Sequence, residues 1–239
     1  MKQILFVSLP AAALALGLAG CGDDLTLPTR PTAGLSMTVF LGNGQTGTVG
    51  EPLPAQVVVV VKDADGTPSA GQPVAFIQGP GGTDTFEPDT VVTNEQGQAA
   101  SEWKLGTTPG EYNAVAQVVA PEDSSPPAVT LTAAAKVGNP DTVRAISATT
   151  QLGHRNEAVG TPPRVVVVDR FGNPVPNVQV HWSADDGNGE LSADETTTGA
   201  DGTTGIDWTL GNRVGVQRVT AEVDGAAHPT AQFAAGVPF

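Results

Sequence analysis

The sequence predicts an all-β protein in which two tandem antiparallel β-sandwiches follow an export signal and a short tether. Three observations indicate this fold class: runs of β-branched residues (VVVVV at 57–61, VVVV at 165–168), 29 Gly and 20 Pro among 239 residues, and a repeat of the whole pattern in the second half of the chain. β-branched residues favour strands, whereas Gly and Pro interrupt them at turns. A hydrophobic content of 39% is sufficient for packed cores.

The N-terminal stretch MKQILFVSLPAAALALGLAG is apolar after one Lys, too short for a bilayer span and typical of an export signal. It ends in Leu18-Ala19-Gly20-Cys21, which resembles the bacterial lipobox, whose Cys is acylated and becomes the mature N-terminus. We therefore expect a lipoprotein signal peptide at 1–20, lipid attachment and membrane binding at Cys21, and a flexible tether over 21–35. Gly22, rather than Asp, favours the outer membrane over the inner.

The strand signals are clearest in the second copy. Val165–Val168 is an uninterrupted β-branched run that ends in the turn DRFGNP, where Gly and Asn supply positive φ and Pro ends the strand. Val178, Val180 and Trp182 then alternate with polar residues, which is the pattern of a half-buried strand. About seven short strands joined by turns predict an antiparallel sandwich.

The first copy repeats these features in register. At a shift of 106 or 105 positions, the matching residues are Asp63, Gly66, Pro68, Val74, Trp103, Leu105 and Gly106 with Asp169, Gly172, Pro174, Val180, Trp208, Leu210 and Gly211. A period near one hundred residues suits tandem domains that each close a core of their own. We place the first module at 36–137 and the second at 141–238. Because Cys21 is the single cysteine, neither contains a disulfide.

The motifs of the second module resemble a known family. The sequence D-x-x-G-N-P-V-P-N-V-x-V-x-W, followed by T-x-A-D-G, W-x-L-G-x-x-x-G and V-T-A-x-V, is similar to the group 1 bacterial immunoglobulin-like domain of invasin- and intimin-type adhesins. The first module resembles it more distantly. The resemblance implies immunoglobulin-like sandwiches and a role in display at the cell surface.

Composition and motifs argue against several other classes. A net charge of −14 repels phosphate backbones, so we expect no nucleic-acid partner. The sequence contains no nucleophile elbow, zinc motif or phosphate-binding loop with its Lys, so we predict neither an enzyme nor a bound metal or cofactor. The stretch Asp63-Ala64-Asp65-Gly66 lacks the remainder of a calcium loop and predicts a turn. The three Trp residues fall on inward strand positions, which predicts core packing rather than a sugar-binding platform.

Two surfaces are the candidates for contacts. Loops at 151–163, 184–190 and 211–215 are expected to meet at the pole of the second module farthest from the lipid. They form a candidate surface for a protein or glycan, made of His154, Arg155, Asp185, Asp186, Asn188 and Arg213. The second surface is at Phe171, an apolar residue where the first copy has Asp65. We expect Phe171 to pack between the modules, against the 78–83 or 106–110 loops, and to stiffen the pair.

These observations predict a lipid-anchored cell-envelope protein that displays two immunoglobulin-like modules, with a structural or adhesive role. The alternative is a carbohydrate- or ligand-binding accessory of an envelope enzyme system. A specific glycan ligand would favour the alternative, and a protein receptor would favour adhesion.

Overall fold

The computed structural model describes residues 34–120 and 125–239, and all the regular elements in these ranges are β-strands. The predicted fold class, two immunoglobulin-like β-sandwiches in tandem, is confirmed. Within the same ranges, no helix has the length and apolarity needed to cross a membrane. The predicted signal peptide, Cys21 and most of the predicted tether lie outside the described residues.

The first module is built from nine short strands, most of which end at a turn rich in Gly, Pro or Asp. They are β1 (Ser36–Leu41), β2 (Gln45–Thr48), β3 (Val57–Lys62), β4 (Pro73–Gln78), β5 (Thr85–Glu87), β6 (Thr90–Val92), β7 (Gln98–Lys104), β8 (Gly110–Val118) and β9 (Ala128–Lys136). One sheet has the order β1-β3-β7-β5, and the other has the order β2-β9-β8-β4-β6.

The second module repeats this arrangement with shorter and more divided strands. They are β10 (Thr142–Ala145), β11 (Thr150–Leu152), β12 (Arg164–Val168), β13 (Gln179–Ala184), β14 (Glu190–Leu191), β15 (Glu195–Thr197), β16 (Thr203–Gly205), β17 (Trp208–Thr209), β18 (Gly215–Glu222) and β19 (Thr230–Val237). The sheets have the orders β10-β12-β16 and β11-β19-β18-β13-β15, with a separate β14-β17 pair.

Each module encloses its own core between its sheets. Trp103 lies at the centre of the first core, stacked on Phe86 with ring centroids 5.1 Å apart. Trp182 and Trp208 are buried in the second core, where Trp182 lies 6.3 Å from the Phe233 ring. The prediction that all three Trp residues pack inside is confirmed. Aromatic side chains of this size contribute much of the buried apolar area that holds a small sandwich together.

The sequence pattern did not predict one pairing, in which strands near the start and the end of each module run parallel. β2 pairs with β9, and β11 pairs with β19, whereas the remaining ladders are antiparallel. In both modules a glutamine side chain connects the first strand of this parallel pair, β2 or β11, to the segment that follows it. Gln45 accepts a hydrogen bond from Ala55 N and donates to Ala55 O, and Gln151 makes the same two bonds to Thr161. The chain passes from one sheet to the other between β1 and β2, and again between β10 and β11. The same glutamine contact follows this crossing in both modules.

Candidate functional site

The turn after β12, residues 169–174, is organised by one buried carboxylate. Asp169 is 2% exposed. Its Oδ1 accepts hydrogen bonds from the backbone N–H groups of Phe171 and Asn173, both at 2.9 Å. Its Oδ2 accepts from the Asn173 side chain at 2.9 Å and from Gly138 N at 3.0 Å. Since Gly138 belongs to the segment that joins the modules, Asp169 ties this segment to the turn.

These bonds also control the ionisation of Asp169. Burial on its own would raise the pKa of this carboxyl, but the hydrogen bonds from the Asn173 side chain and from the N–H groups of Gly138, Asn173 and Phe171 outweigh it and lower the pKa below its usual value. The carboxylate is therefore charged at neutral pH, the form that accepts all of these bonds.

The turn contacts the opposite end of the first module, which is formed by the loops 49–56, 79–84 and 105–109 and is here called its far pole. Phe171 lies against Gly50, where a Cβ atom would be only 2.3 Å from the ring atom Cζ. The ring borders a groove of about 380 Å³ whose walls include Thr83, Gly106 and Thr107. The ring remains 38% exposed, so its packing is partial.

Two polar contacts accompany the ring. Arg170 Nη2 lies 2.6 Å from Glu51 Oε1, and the Arg170 guanidinium is 4.6 Å from the centroid of the Phe171 ring. Asn173 Nδ2 donates to Thr107 O at 2.8 Å. An ion pair this exposed adds about 0–1 kcal/mol, so its main effect is to favour one orientation of the turn on the pole. The junction thus combines an aromatic contact, an ion pair and one directional hydrogen bond.

The far pole of the second module is formed by the equivalent loops, 153–163, 185–189 and 210–214. The structure brings these loops together. Asn156 N donates to Leu210 O at 3.1 Å, and Trp208 Nε1 donates to Asn188 O at 2.8 Å. A cavity of about 410 Å³ opens between them, with Asn156, Gly187, Gly189 and Gly211 in its walls. Loops held on a rigid sandwich in this way can present side chains to a partner.

The predicted surface residues differ in their placement. His154, Arg155, Asp185, Asp186 and Arg213 are exposed at this pole. Asn188 is only 2% exposed. Its Nδ2 donates to Arg218 O at 3.3 Å, and its Oδ1 has no hydrogen-bond partner among the described residues. Asn188 is thus buried under the loop and holds it to β18, while the other five side chains are accessible to a partner. Their binding role remains a prediction.

Two residues that shape this pole were not identified from the sequence. Gln217 is fully buried; its Oε1 accepts from Gly211 N at 2.7 Å, and its Nε2 donates to the carbonyls of Gly211 and Arg213. Gly189 has φ +100°, and a Cβ there would lie 1.9 Å from Thr209 O. A single Gln on an alternating strand gives no signal of loop bracing, but a G-x-G in a short loop does indicate a close backbone approach.

The other candidate clusters show no convergent ligand geometry in the described ranges. In the turn at Asp63, Oδ1 accepts hydrogen bonds from the N–H groups of Asp65 and Thr67, as expected for a turn. His181 lies between two carboxylates, with Nδ1 3.1 Å from Glu195 and Nε2 3.8 Å from Asp224, so its neighbours are on opposite sides of the ring. In the described part of the chain, no group of three or more His, Cys, Asp or Glu residues is placed to hold a metal ion.

Comparison with known proteins gives one match in sequence and several in structure. Residues 160–234 match the bacterial Ig-like domain (group 1). The D0-D1 domain of intimin is 22% identical, with 83% of this chain and 97% of that chain covered and a TM-score of 0.29. The Escherichia coli adhesin FdeC is 20% identical over 87% of this chain and 65% of that chain, with a TM-score of 0.46.

Invasin, described as a bacterial integrin-binding protein, is 24% identical over 83% of this chain and 38% of that chain, with a TM-score of 0.38. No curated protein sequence matches the chain significantly. The family resemblance indicated by the sequence motifs is confirmed by the family match at residues 160–234, which lies within the second module.

Proposed function

We propose that the protein is a lipid-anchored component of the bacterial cell envelope that displays two immunoglobulin-like modules in a structural or adhesive role. The observation that carries the proposal is the junction between the modules. Phe171 on Gly50, Arg170 on Glu51 and Asn173 on Thr107 connect the turn of one sandwich to the pole of the other. A pair joined in this way holds the far pole of the second module away from the start of the first, as display requires.

The surface for a partner is the far pole of the second module. Its accessible side chains carry both signs of charge, since Arg155, Arg213, Asp185 and Asp186 are all exposed on its loops. Such mixed polar loops suit recognition of a protein or of a glycan rather than burial of a large apolar ligand. A protein partner would make the role adhesive, and a glycan partner would favour an accessory of an envelope enzyme system.

Lipid anchoring is tested by Cys21→Ser. One acyl chain binds membranes weakly and reversibly, whereas several chains anchor a protein stably. If Cys21 carries the lipid, the variant moves from the membrane fraction to the soluble fraction while the wild type stays in the membrane. Unchanged fractionation of the Cys21→Ser chain would contradict lipid attachment at this residue.

The binding role is tested with the double variant Arg155→Ala, Arg213→Ala. Binding to immobilised glycans and to host-cell surface proteins is compared with that of wild type and of Arg144→Ala, Arg164→Ala, which removes two exposed arginines from β10 and β12 instead. We expect the first pair to weaken any bound partner and the control pair to leave it unchanged. Equal affinities of all three proteins would place the binding site elsewhere.

A further inference from the structure

One broad sheet face of the first module has an unusual composition for so acidic a chain. On the outward side of β6, β4 and β8 lie Val92, Ala75, Ile77 and Val115, and Val119 follows β8; this group is here called the apolar face. Ile77 and Val115 are direct cross-strand partners, 46% and 37% exposed. Val92, on the neighbouring edge strand, is 61% exposed, and Val119 is 50% exposed. These side chains therefore lie on one face of the sheet, where Ala75 on β4 lies between the Ile77–Val115 pair and Val92.

The second module shows that the fold does not require this composition. Ala75 pairs with Thr90 and Gln117 on its neighbouring strands, whereas its equivalent His181 pairs with Glu195 and Glu222. Likewise, the Ile77–Val115 pair corresponds to Ser183–Thr220. At these positions the sheet is thus charged or polar in the second module and apolar in the first. Exposed apolar side chains grouped on one face in this way commonly mark an interaction site.

The charge around the apolar face indicates which partner fits. The chain carries a net charge of −14. On the outward side of the five strands of this sheet, all of which the structure describes, the only charged residues are Glu111 and Lys136, which cancel and lie at one end. Two copies of a strongly acidic protein repel each other over most of their surfaces. The outward sides of these five strands carry one carboxylate, Glu111, so two copies can approach through them with little repulsion.

We propose that the apolar face binds the same face of a second copy of this chain, forming a side-by-side pair through the first modules. Two sheets with apolar outward side chains can pack face to face about 10 Å apart, as the sheets of a sandwich do. The interaction is isologous, so each apolar side chain of one copy has an equivalent in the other. Anchoring in one membrane would raise the local concentration and favour even a weak contact. This proposal does not depend on the ligand surface of the second module.

The repeat supplies a matched test. Val115→Glu places a carboxylate beside Ile77 on the apolar face, and Thr220→Glu places the same carboxylate at the equivalent position of the second module. The full chain is studied by sedimentation equilibrium in a detergent matched in density by the solvent, so that micelles do not contribute to the buoyant mass. Both variants are measured in the same detergent and carry the same added charge. A difference between their dimer dissociation constants is therefore due to the position of that charge on the apolar face.

We expect the wild type and Thr220→Glu to show the same monomer–dimer equilibrium, and Val115→Glu to raise the dimer dissociation constant at least about tenfold. Val115→Thr, which installs the residue of the second module and keeps the β-branched shape, provides a second measurement that does not depend on tolerance of a charge. It should weaken the dimer less than Glu does.

Three results would overturn the proposal: a wild-type monomer up to about 500 μM, where dissociation constants typical of weak pairs would already give dimer; equal weakening by Thr220→Glu; or a dimer unaffected by either substitution at Val115. Loss of lipid anchoring or of ligand binding would leave these measurements unchanged, because they depend on neither.

Discussion

At the far pole of the first module the backbone turns at Gly50, whereas the equivalent position of the second module is Asn156. Both have positive φ, +69° and +59°, and the loops around them make equivalent hydrogen bonds, Leu105 N to Glu51 O and Leu210 N to Glu157 O. The backbone frames are therefore the same. The missing Cβ at Gly50 leaves room for the Phe171 ring, and the Asn156 side chain would occupy that room at the second pole.

The two turns that follow the Val-rich strands show a similar contrast. In both, the first Asp accepts hydrogen bonds from the N–H groups two and four residues later. Of the two, Asp169 alone also accepts from the segment between the modules, through Gly138. Its turn also carries an aromatic ring, at Phe171, in place of Asp65. Repetition of the fold therefore fixes the backbone frame of a junction, whereas a few side chains decide whether a junction forms.

The largest expected effect tests whether the modules are independent. Trp208→Ala should cost the second module about 3–5 kcal/mol, because it removes a fully buried ring and its hydrogen bond to Asn188 O. Trp103→Ala should do the same to the first module. Differential scanning calorimetry should show one lowered transition in each variant, a different one in each case. A single transition that falls equally in both variants would mean that the modules unfold together.

The next test transfers a residue from one pole to the other. Gly50→Asn should disrupt the junction, because any Cβ at this position overlaps the Phe171 ring. Gly44→Asn is the matched control, since Gly44 has the same φ of +69° and a Cβ added there would meet no other described part of the chain within 4 Å. Both variants bear the same backbone cost, about 1 kcal/mol or less for Asn.

Small-angle X-ray scattering should then show a broader distribution of distances between the modules for Gly50→Asn and an unchanged one for Gly44→Asn. Indistinguishable distributions would mean that the ring does not need this space.

A smaller effect is expected for Phe171→Asp, which gives the second turn the residue of the first. Full burial of a Phe side chain contributes about 1.5–3 kcal/mol, and this ring is only partly buried, so about 1–2 kcal/mol of contact is lost. The new carboxylate would also lie near Glu51. Scattering curves should indicate a more flexible pair, while the two calorimetric transitions stay near their wild-type temperatures. A distribution of distances between the modules equal to that of wild type would show that Phe171 does not join them.

The smallest effect concerns acid. Because the pKa of Asp169 is lowered in the folded protein, its contribution to stability is fully present above the ordinary value of 3.8 and is lost as the pH falls through the folded-state pKa. The urea midpoint of the second module should therefore fall more steeply on acidification in wild type than in Asp169→Asn, which has no carboxyl to protonate. The same dependence of the urea midpoint on pH in both proteins would show that this carboxylate does not contribute to stability.

The fold could be predicted from the sequence because its strongest signals are local. Val57–Val61 has the pattern of a strand buried on both sides, and alternation places Trp182 and Trp208 inside. The parallel pairing of β2 with β9 could not be predicted in this way, since Gln45–Thr48 has no apolar period. The repeat does contain a signal for it, because Gln45 and Ala55 recur as Gln151 and Thr161 at one spacing.

The candidate site was less predictable, because exposure depends on how loops fold back. Asn188 belongs to a polar stretch that is typical of solvated loops, yet it is buried beneath the loop. Its backbone carbonyl accepts a hydrogen bond from the indole N–H of Trp208. The apolar face was not predicted either. Alternation identifies which residues of β4 and β8 face outward, but only alignment of one copy against the other shows that these positions are charged or polar in the second module.

The parallel pairing also has a consequence for a protein under mechanical load. Because β2 and β9 run in the same direction, as do β11 and β19, a force that pulls the two ends of a module apart slides these strands along each other. Their hydrogen bonds are then strained together in shear instead of opening one after another. For a protein held at one end and pulled at the other, resistance is governed by the rate of rupture rather than by equilibrium stability. We therefore expect these short parallel ladders to contribute to the force that each module withstands.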